Sequence, residues 1–256
     1  MVRNKEMKYV VITRSKEESH QFAASLVRLG FNVLYCPSIV TTKNLFSSDL
    51  EKYFSNISLF DIIIFTSSNG VKYFIEGLQE LGENLSNLEN IKISVIGQKT
   101  ADTAKKYGLS INFIPSRSTS VDLGKELNNI KGNNILLPRS DIGNPDFKTK
   151  LEAKGAIVTD MPIYKTEHLK TDMTEFNKLL KLNEIFCITF TSPSAVEGFL
   201  ENIKEYSEYK RIFSIPVLSI GPTTTKTLKN YRFENIYTAD THTLEGMVTK
   251  LREINL

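Results

Sequence analysis

Hydroxyl-bearing and cationic residues recur in this chain at one kind of place, where a short apolar run gives way to a helical pattern. The junctions read Thr13-Arg14-Ser15, Thr66-Ser67-Ser68, Gly97-Gln98-Lys99-Thr100, Arg117-Ser118-Thr119 and Pro138-Arg139-Ser140. Further along come Thr191-Ser192, Gly221-Pro222-Thr223-Thr224 and Thr241-His242-Thr243. They are rich in hydroxyls, small residues and arginine, and poor in carboxylates. Each opens a helix, whose free N–H groups and positive dipole end favour anions. A ligand with several carboxylates or phosphates suits such a set. Taken singly, each Ser or Thr reads first as a helix N-cap, and Arg14, Arg117 and Arg139 as ordinary surface residues. It is the repetition that argues for a ligand.

Other chemistries lack their residues. There is no G-x-G-x-x-G loop, no G-x-x-x-x-G-K-[ST] loop and no G-x-S-x-G elbow. The acids a magnesium site would need are missing from the junctions. His20, His168 and His242 show no metal-ligand spacing, and Asp141 and Asp146 have no evident partner for a carboxylate dyad. A site here is not built on an activated nucleophile, a metal or an organic cofactor, and none is expected. A net charge of +3 without a basic stripe gives no case for nucleic acid. No apolar run approaches the roughly 18 residues that span a membrane, and no secretory segment leads the chain. Cys36 and Cys187 sit in separate apolar runs and read as reduced core thiols of a cytoplasmic protein, with a disulfide between them as the lesser alternative.

The elements that must hold these junctions follow from an internal repeat. Thr66-Ser67-Ser68-Asn69-Gly70-Val71 returns as Thr191-Ser192-Pro193-Ser194-Ala195-Val196, 125 residues later. The same offset pairs Arg14 with Arg139, Gly30 with Gly155 and Pro37 with Pro162, and Val71, Phe74, Ile75 and Leu78 with Val196, Phe199, Leu200 and Ile203. Downstream it slips by one, matching Ile96-Gly97 to Ile220-Gly221 and Thr119 to Thr243. This is a tandem duplication. Each copy alternates β-rich runs with amphipathic helices, the pattern of parallel α/β units. Strands are expected near 8–13, 31–36, 61–65, 92–96 and 111–114, then 134–138, 156–161, 185–190, 216–220 and 235–238. Ser15 with Glu18 forms a capping box, Ser192-Pro193 an N-cap with proline at N1, and Gly30 and Gly155 fit helix C′ positions. The economical fold is two flavodoxin-like, doubly wound parallel sheets, and 256 residues suit two domains.

In order and spacing the chain resembles the uroporphyrinogen-III synthase family. The resemblance is carried by Val11-Ile12-Thr13-Arg14, Pro37, Phe65 to Val71, Val95 to Ala101 and Pro138-Arg139-Ser140. It continues through Pro162-Ile163-Tyr164-Lys165-Thr166, Phe190 to Ser194 and Ile220 to Thr224. It implies two α/β domains, 1–36 with 169–256 and 44–161, joined by two extended linkers at 37–43 and 162–168. The implied reaction is closure of the linear tetrapyrrole hydroxymethylbilane to uroporphyrinogen III, with the last ring inverted and water lost. No metal or organic cofactor is implied. The non-inverted isomer forms without enzyme, so the protein must chiefly orient the last ring for a spiro intermediate. By the same resemblance, Tyr164 is the general acid that helps the hydroxyl leave, or else a packing residue in an extended segment. From the crests and the resemblance together, Arg14, Ser67, Gly97, Thr100, Ser118, Arg139, Ser192, Thr223 and Thr224 are expected to hold substrate carboxylates. Lys99 departs from the small residue expected after the Ile-Gly turn. A monomer fed by porphobilinogen deaminase is expected. The competing class is a two-domain cytoplasmic sensor for an anionic small molecule, which shares the cleft and crossover.

Overall fold

The structure is a computed structural model that describes residues 8–44, 48–143 and 145–255. Residues 1–7 and 256, the outermost of the expected 1–36 and 169–256 segments, lie outside it. The chain divides into two compact units, Met1–Val40 with Glu167–Leu256, and Thr41–Thr166.

The first unit carries a five-stranded sheet built from β1 (Tyr9–Ile12), β2 (Asn32–Tyr35), β8 (Ile185–Phe190), β9 (Val217–Ser219) and β10 (Ile236–Thr238), in the order β10-β9-β8-β1-β2. Every pairing within it is parallel. Renumbered within the unit this order is 2-1-3-4-5, the flavodoxin arrangement. Its helices are α1 (Lys16–Arg28), α7 (Thr174–Lys181), α8 (Pro193–Ile203), α9 (Pro222–Asn230) and α10 (Leu244–Asn255).

In the second unit the order is β3-β7-β6-β4-β5, from β3 (Ile39–Lys43), β4 (Ile62–Phe65), β5 (Lys92–Val95), β6 (Asn134–Ser140) and β7 (Ile157–His168). Around it lie α2 (Ser48–Ser55), α3 (Ser68–Glu80), α4 (Gln98–Lys106), α5 (Ser120–Glu126) and α6 (Pro145–Glu152). Each unit therefore combines the opening β-α-β of one copy of the repeat, β1-α1-β2 or β6-α6-β7, with the remainder of the other copy. Ile62 to Phe65 are all buried, and alternation sends Ile63 and Phe65 to one face of the sheet and Ile62 and Ile64 to the other. Burial on both faces is why this strand is continuously apolar. In the first unit Cys36 joins the core on one face and Cys187 the core on the opposite face, so both thiols remain free.

One expected strand differs. The run near 111–114 is reduced to a single bridge, Ser94 to Phe113. There the Asn112 side chain, not a backbone carbonyl, accepts the Ile93 N–H at 2.7 Å, which breaks the ladder. The segments anticipated as linkers contribute hydrogen-bonded strands, β3 and the end of β7. β7 runs straight through Pro162, which cannot donate to a ladder. The register answers with a bulge: Arg139 pairs Pro162, but Ser140 pairs Tyr164. An extra residue of this kind re-aims the side chain that follows it, and that side chain is Tyr164.

Candidate functional site

In open parallel sheets, ligands bind beyond the carboxyl ends of the strands, and each unit has its own crest there. In the second unit Ser67 caps α3, accepting the Gly70 N–H at 2.9 Å. The Tyr164 hydroxyl lies 3.0 Å from the same oxygen. Tyr164 is buried and its ring stacks on Tyr73 with centroids 5.3 Å apart. Tyr73 in turn donates to the Thr41 carbonyl at 2.8 Å, which ties α3 to β3. Burial pushes the Tyr164 phenol above its usual range, the Ser67 hydrogen bond pulls it back in part, and Tyr73 and Asp141 add smaller upward pushes. Beside it Ser68 donates to the Lys99 carbonyl at 3.5 Å, bringing the α3 and α4 starts together. Gly97 starts α4 with extended backbone, and a Cβ there would lie 2.2 Å from the Ser118 oxygen. Only a glycine lets Ser118, exposed at the crest, approach so closely. Thr100 is buried in the first turn of α4.

The first unit repeats the plan with different residues. Ser192 caps α8 by accepting the Ala195 N–H at 3.1 Å, with the Ser194 hydroxyl 3.1 Å away. Gly221 starts α9, and there a Cβ would meet the His242 ring at 3.2 Å. His242 thus stands where Ser118 stands in the other copy. Thr223 is exposed on the first turn of α9, whereas Thr224 is buried. Arg14 pairs with Glu18 at 2.8 Å and reaches Thr191 at 3.4 Å, and its Nε is buried with no hydrogen-bond partner among the described residues. Glu18, expected to complete a capping box, is drawn to this arginine while Ser15 still caps the Glu18 N–H at 3.3 Å.

Arg139 is placed differently from its expectation as a carboxylate holder. Its guanidinium is buried in a bidentate pair with Asp160 on the neighbouring strand β7, so its donors are committed within the unit. The sequence reading missed Asp160, Tyr73 and Thr41. Asp160 could have been found by extending the strand register, since it pairs Leu137, two residues before Arg139 on the adjacent strand. Tyr73 was hidden by lying one position off the apolar stripe of α3. Among the described residues no cluster of three or more His, Cys, Asp or Glu could hold a metal, and no helix is long and apolar enough to cross a membrane.

A family model described as uroporphyrinogen-III synthase HemD matches residues 20–249. The chain belongs to the uroporphyrinogen-III synthase family. That family is one of lyase-type enzymes acting in tetrapyrrole synthesis. A putative uroporphyrinogen-III synthase of Methanocaldococcus jannaschii is 31% identical, over 96% of this chain and 98% of that one. A porphyrin biosynthesis protein HemD of Ruminiclostridium josui is 28% identical over 96% of this chain, which spans about half of that longer protein (48%). Among solved structures, a uroporphyrinogen III synthase mutant of Thermus thermophilus superposes with a TM-score of 0.68 at 20% identity, covering 96% of this chain and 98% of that one. The Helicobacter pylori uroporphyrinogen-III synthetase gives 0.63 at 20% identity, covering 97% and 100%. At such identities the structures speak for the two-domain α/β fold.

Proposed function

We propose that this protein is a uroporphyrinogen-III synthase that closes hydroxymethylbilane to uroporphyrinogen III, inverting the last ring and releasing water without a metal or organic cofactor. The observation that carries the proposal is one hydroxyl pair, Tyr164 and Ser67, 3.0 Å apart on a crest otherwise made of helix N-termini. Tyr164 is the general acid. Its proton goes to the hydroxymethyl oxygen, the C–O bond breaks towards that oxygen, and water leaves an azafulvenium-like cation. The last ring attacks through its substituted carbon and the spiro intermediate reopens and recloses. The carbon that finally joins the macrocycle gives up a proton, which restores the phenol. Burial keeps the phenol protonated but makes it a weaker acid, and the Ser67 hydrogen bond, which pulls the phenol back down, offsets part of that cost.

The donors for substrate carboxylates are Arg14, Ser192 and Thr223 in the first unit and Gly97, Ser118 and the α4 start in the second. Thr100 and Thr224 support the helix starts from beneath, and Arg139 braces β6 against β7. The protein works in the cytoplasm as a monomer, taking its substrate from porphobilinogen deaminase.

The test is a coupled assay in which that deaminase supplies hydroxymethylbilane and the oxidised isomers are separated. Isomer III is expected with the wild-type chain, and Tyr164→Phe should cut its formation by about 10²-fold or more, the range of a positioned general acid. Isomer I alone from folded wild-type protein would favour the sensor reading. Undiminished turnover in Tyr164→Phe would remove that residue from the mechanism.

A further inference from the structure

The two copies of the repeat supply an internal comparison at the crest. Ser67 and Ser192 occupy equivalent positions, each capping a long helix through the N–H three residues on. Their surroundings differ. Where the second unit has Tyr164, the first has Ile39, and where it has Tyr73, the first has Gly198. A Cβ at Gly198 would fall 2.2 Å from the Ser38 carbonyl, so there the crossing backbone packs directly on the helix. Only in the second unit is a phenol built over the cap, held flat by Tyr73, whose hydroxyl is anchored on Thr41.

We infer that Ser67 is a positioning residue, coupling the N-terminus of α3 to the oxygen of Tyr164, with Tyr73 fixing the ring in register. At rest the phenol, the stronger acid, donates to Ser67. As its proton passes to the leaving hydroxyl, the Ser67 O–H rotates and donates to the phenolate left behind. The Gly70 N–H on the same Ser67 oxygen polarises that hydroxyl, and the α3 dipole adds to it. When the macrocycle gives up its proton the phenol reforms and Ser67 turns back, so no atom or charge is left over. The downward pull of the Ser67 hydrogen bond on the Tyr164 phenol has the same origin. This inference rests on Tyr164 being the acid, and it moves Ser67 from holding substrate to acting through Tyr164.

The experiment compares wild type, Tyr164→Phe, Ser67→Ala, Ser67→Gly, Ser67→Thr and the Ser67→Ala/Tyr164→Phe pair in the coupled isomer assay. Glycine removes the oxygen at a position that tolerates it as an N-cap, which guards against loss of folding in the alanine variant. Loss of a hydrogen bond to a charged oxygen should lower kcat by about tenfold to a hundredfold with KM unchanged in both. Ser67→Thr should restore most of it, and the double variant should be no slower than Tyr164→Phe alone. A second readout needs no turnover: with ¹³C-labelled tyrosine, the Tyr164 ring should titrate at higher pH without the Ser67 oxygen. A raised KM at constant kcat, losses that multiply in the double variant, or an unmoved Tyr164 titration would each overturn the coupling. Failure of the acid assignment shows separately, as wild-type turnover in Tyr164→Phe.

Discussion

Arg14 and Arg139 occupy equivalent positions in the two copies, and the structure gives them opposite tasks. Arg139 is buried against Asp160, whereas Arg14 keeps a buried Nε without a partner among the described residues. A buried donor left unmade is costly unless something reaches it, and a substrate carboxylate at the crest would. Arg14→Gln should therefore raise KM in the isomer assay by about tenfold or more while urea unfolding stays close to wild type. Asp160→Asn should do the reverse. It removes the negative charge facing a buried guanidinium and should cost roughly 1–3 kcal/mol, because the partly exposed carboxylate softens the loss, with KM unchanged. If Asp160→Asn altered KM alone, Arg139 would belong with the substrate. The caps Ser67 and Ser192 were legible because a cap and its N–H are three residues apart. Asp160 and Tyr73 were not, because their partners are set by strand register and by the packing of α3 on β7.

Among elements, helix α8 is closely packed by the crossing segments. Ser38 donates to the Ala195 carbonyl at 2.8 Å, Asn202 holds the Leu169 carbonyl at 2.8 Å, and Gly198 leaves room for the Ser38 carbonyl. Helix propensity alone says that Gly198→Ala gains about 1 kcal/mol. Sterically it fails, since the obstacle is main chain and cannot rotate away, and overpacking of this kind costs about 1–3 kcal/mol. Thermal unfolding should show Gly198→Ala destabilised. Gly124 in α5 is the counter-case: a Cβ there meets Phe147 at 3.6 Å, an ordinary contact. Gly124→Ala should gain up to about 1 kcal/mol, and matching signs in the two variants would contradict this account. Most strands could be read from their apolar runs. What escaped was the continuation of β7 through Pro162, where a bulge absorbs the missing donor, and the frailty of the 111–114 run, where Asn112 takes a backbone bond for its own side chain.

At the scale of the whole molecule the repeat was legible, because an offset that slips by only one residue along the chain survives any folding. Its outcome is two units each assembled from both copies, and their titratable interiors differ. Both thiols lie in the first unit, Cys36 pushed up to about 12 and Cys187 further, each by burial. In the unfolded chain a thiol ionises near about 8.5. Below that pH both states hold the proton and the stability is intact. Above it the unfolded state binds fewer protons than the native one, so stability falls as pH rises, by about 1.4 kcal/mol per pH unit for each thiol. Among the described residues the second unit has no such group until its phenol Tyr164, whose unfolded counterpart titrates at about 10. Alkaline loss of structure should therefore begin in the first unit, with urea stability falling by up to about 2.7 kcal/mol per pH unit between roughly pH 9 and 10. Cys36→Ala/Cys187→Ala should flatten that slope, and a thiol reagent should label neither cysteine until the first unit opens. A slope unaltered by the double substitution would place the alkaline sensitivity elsewhere in the fold.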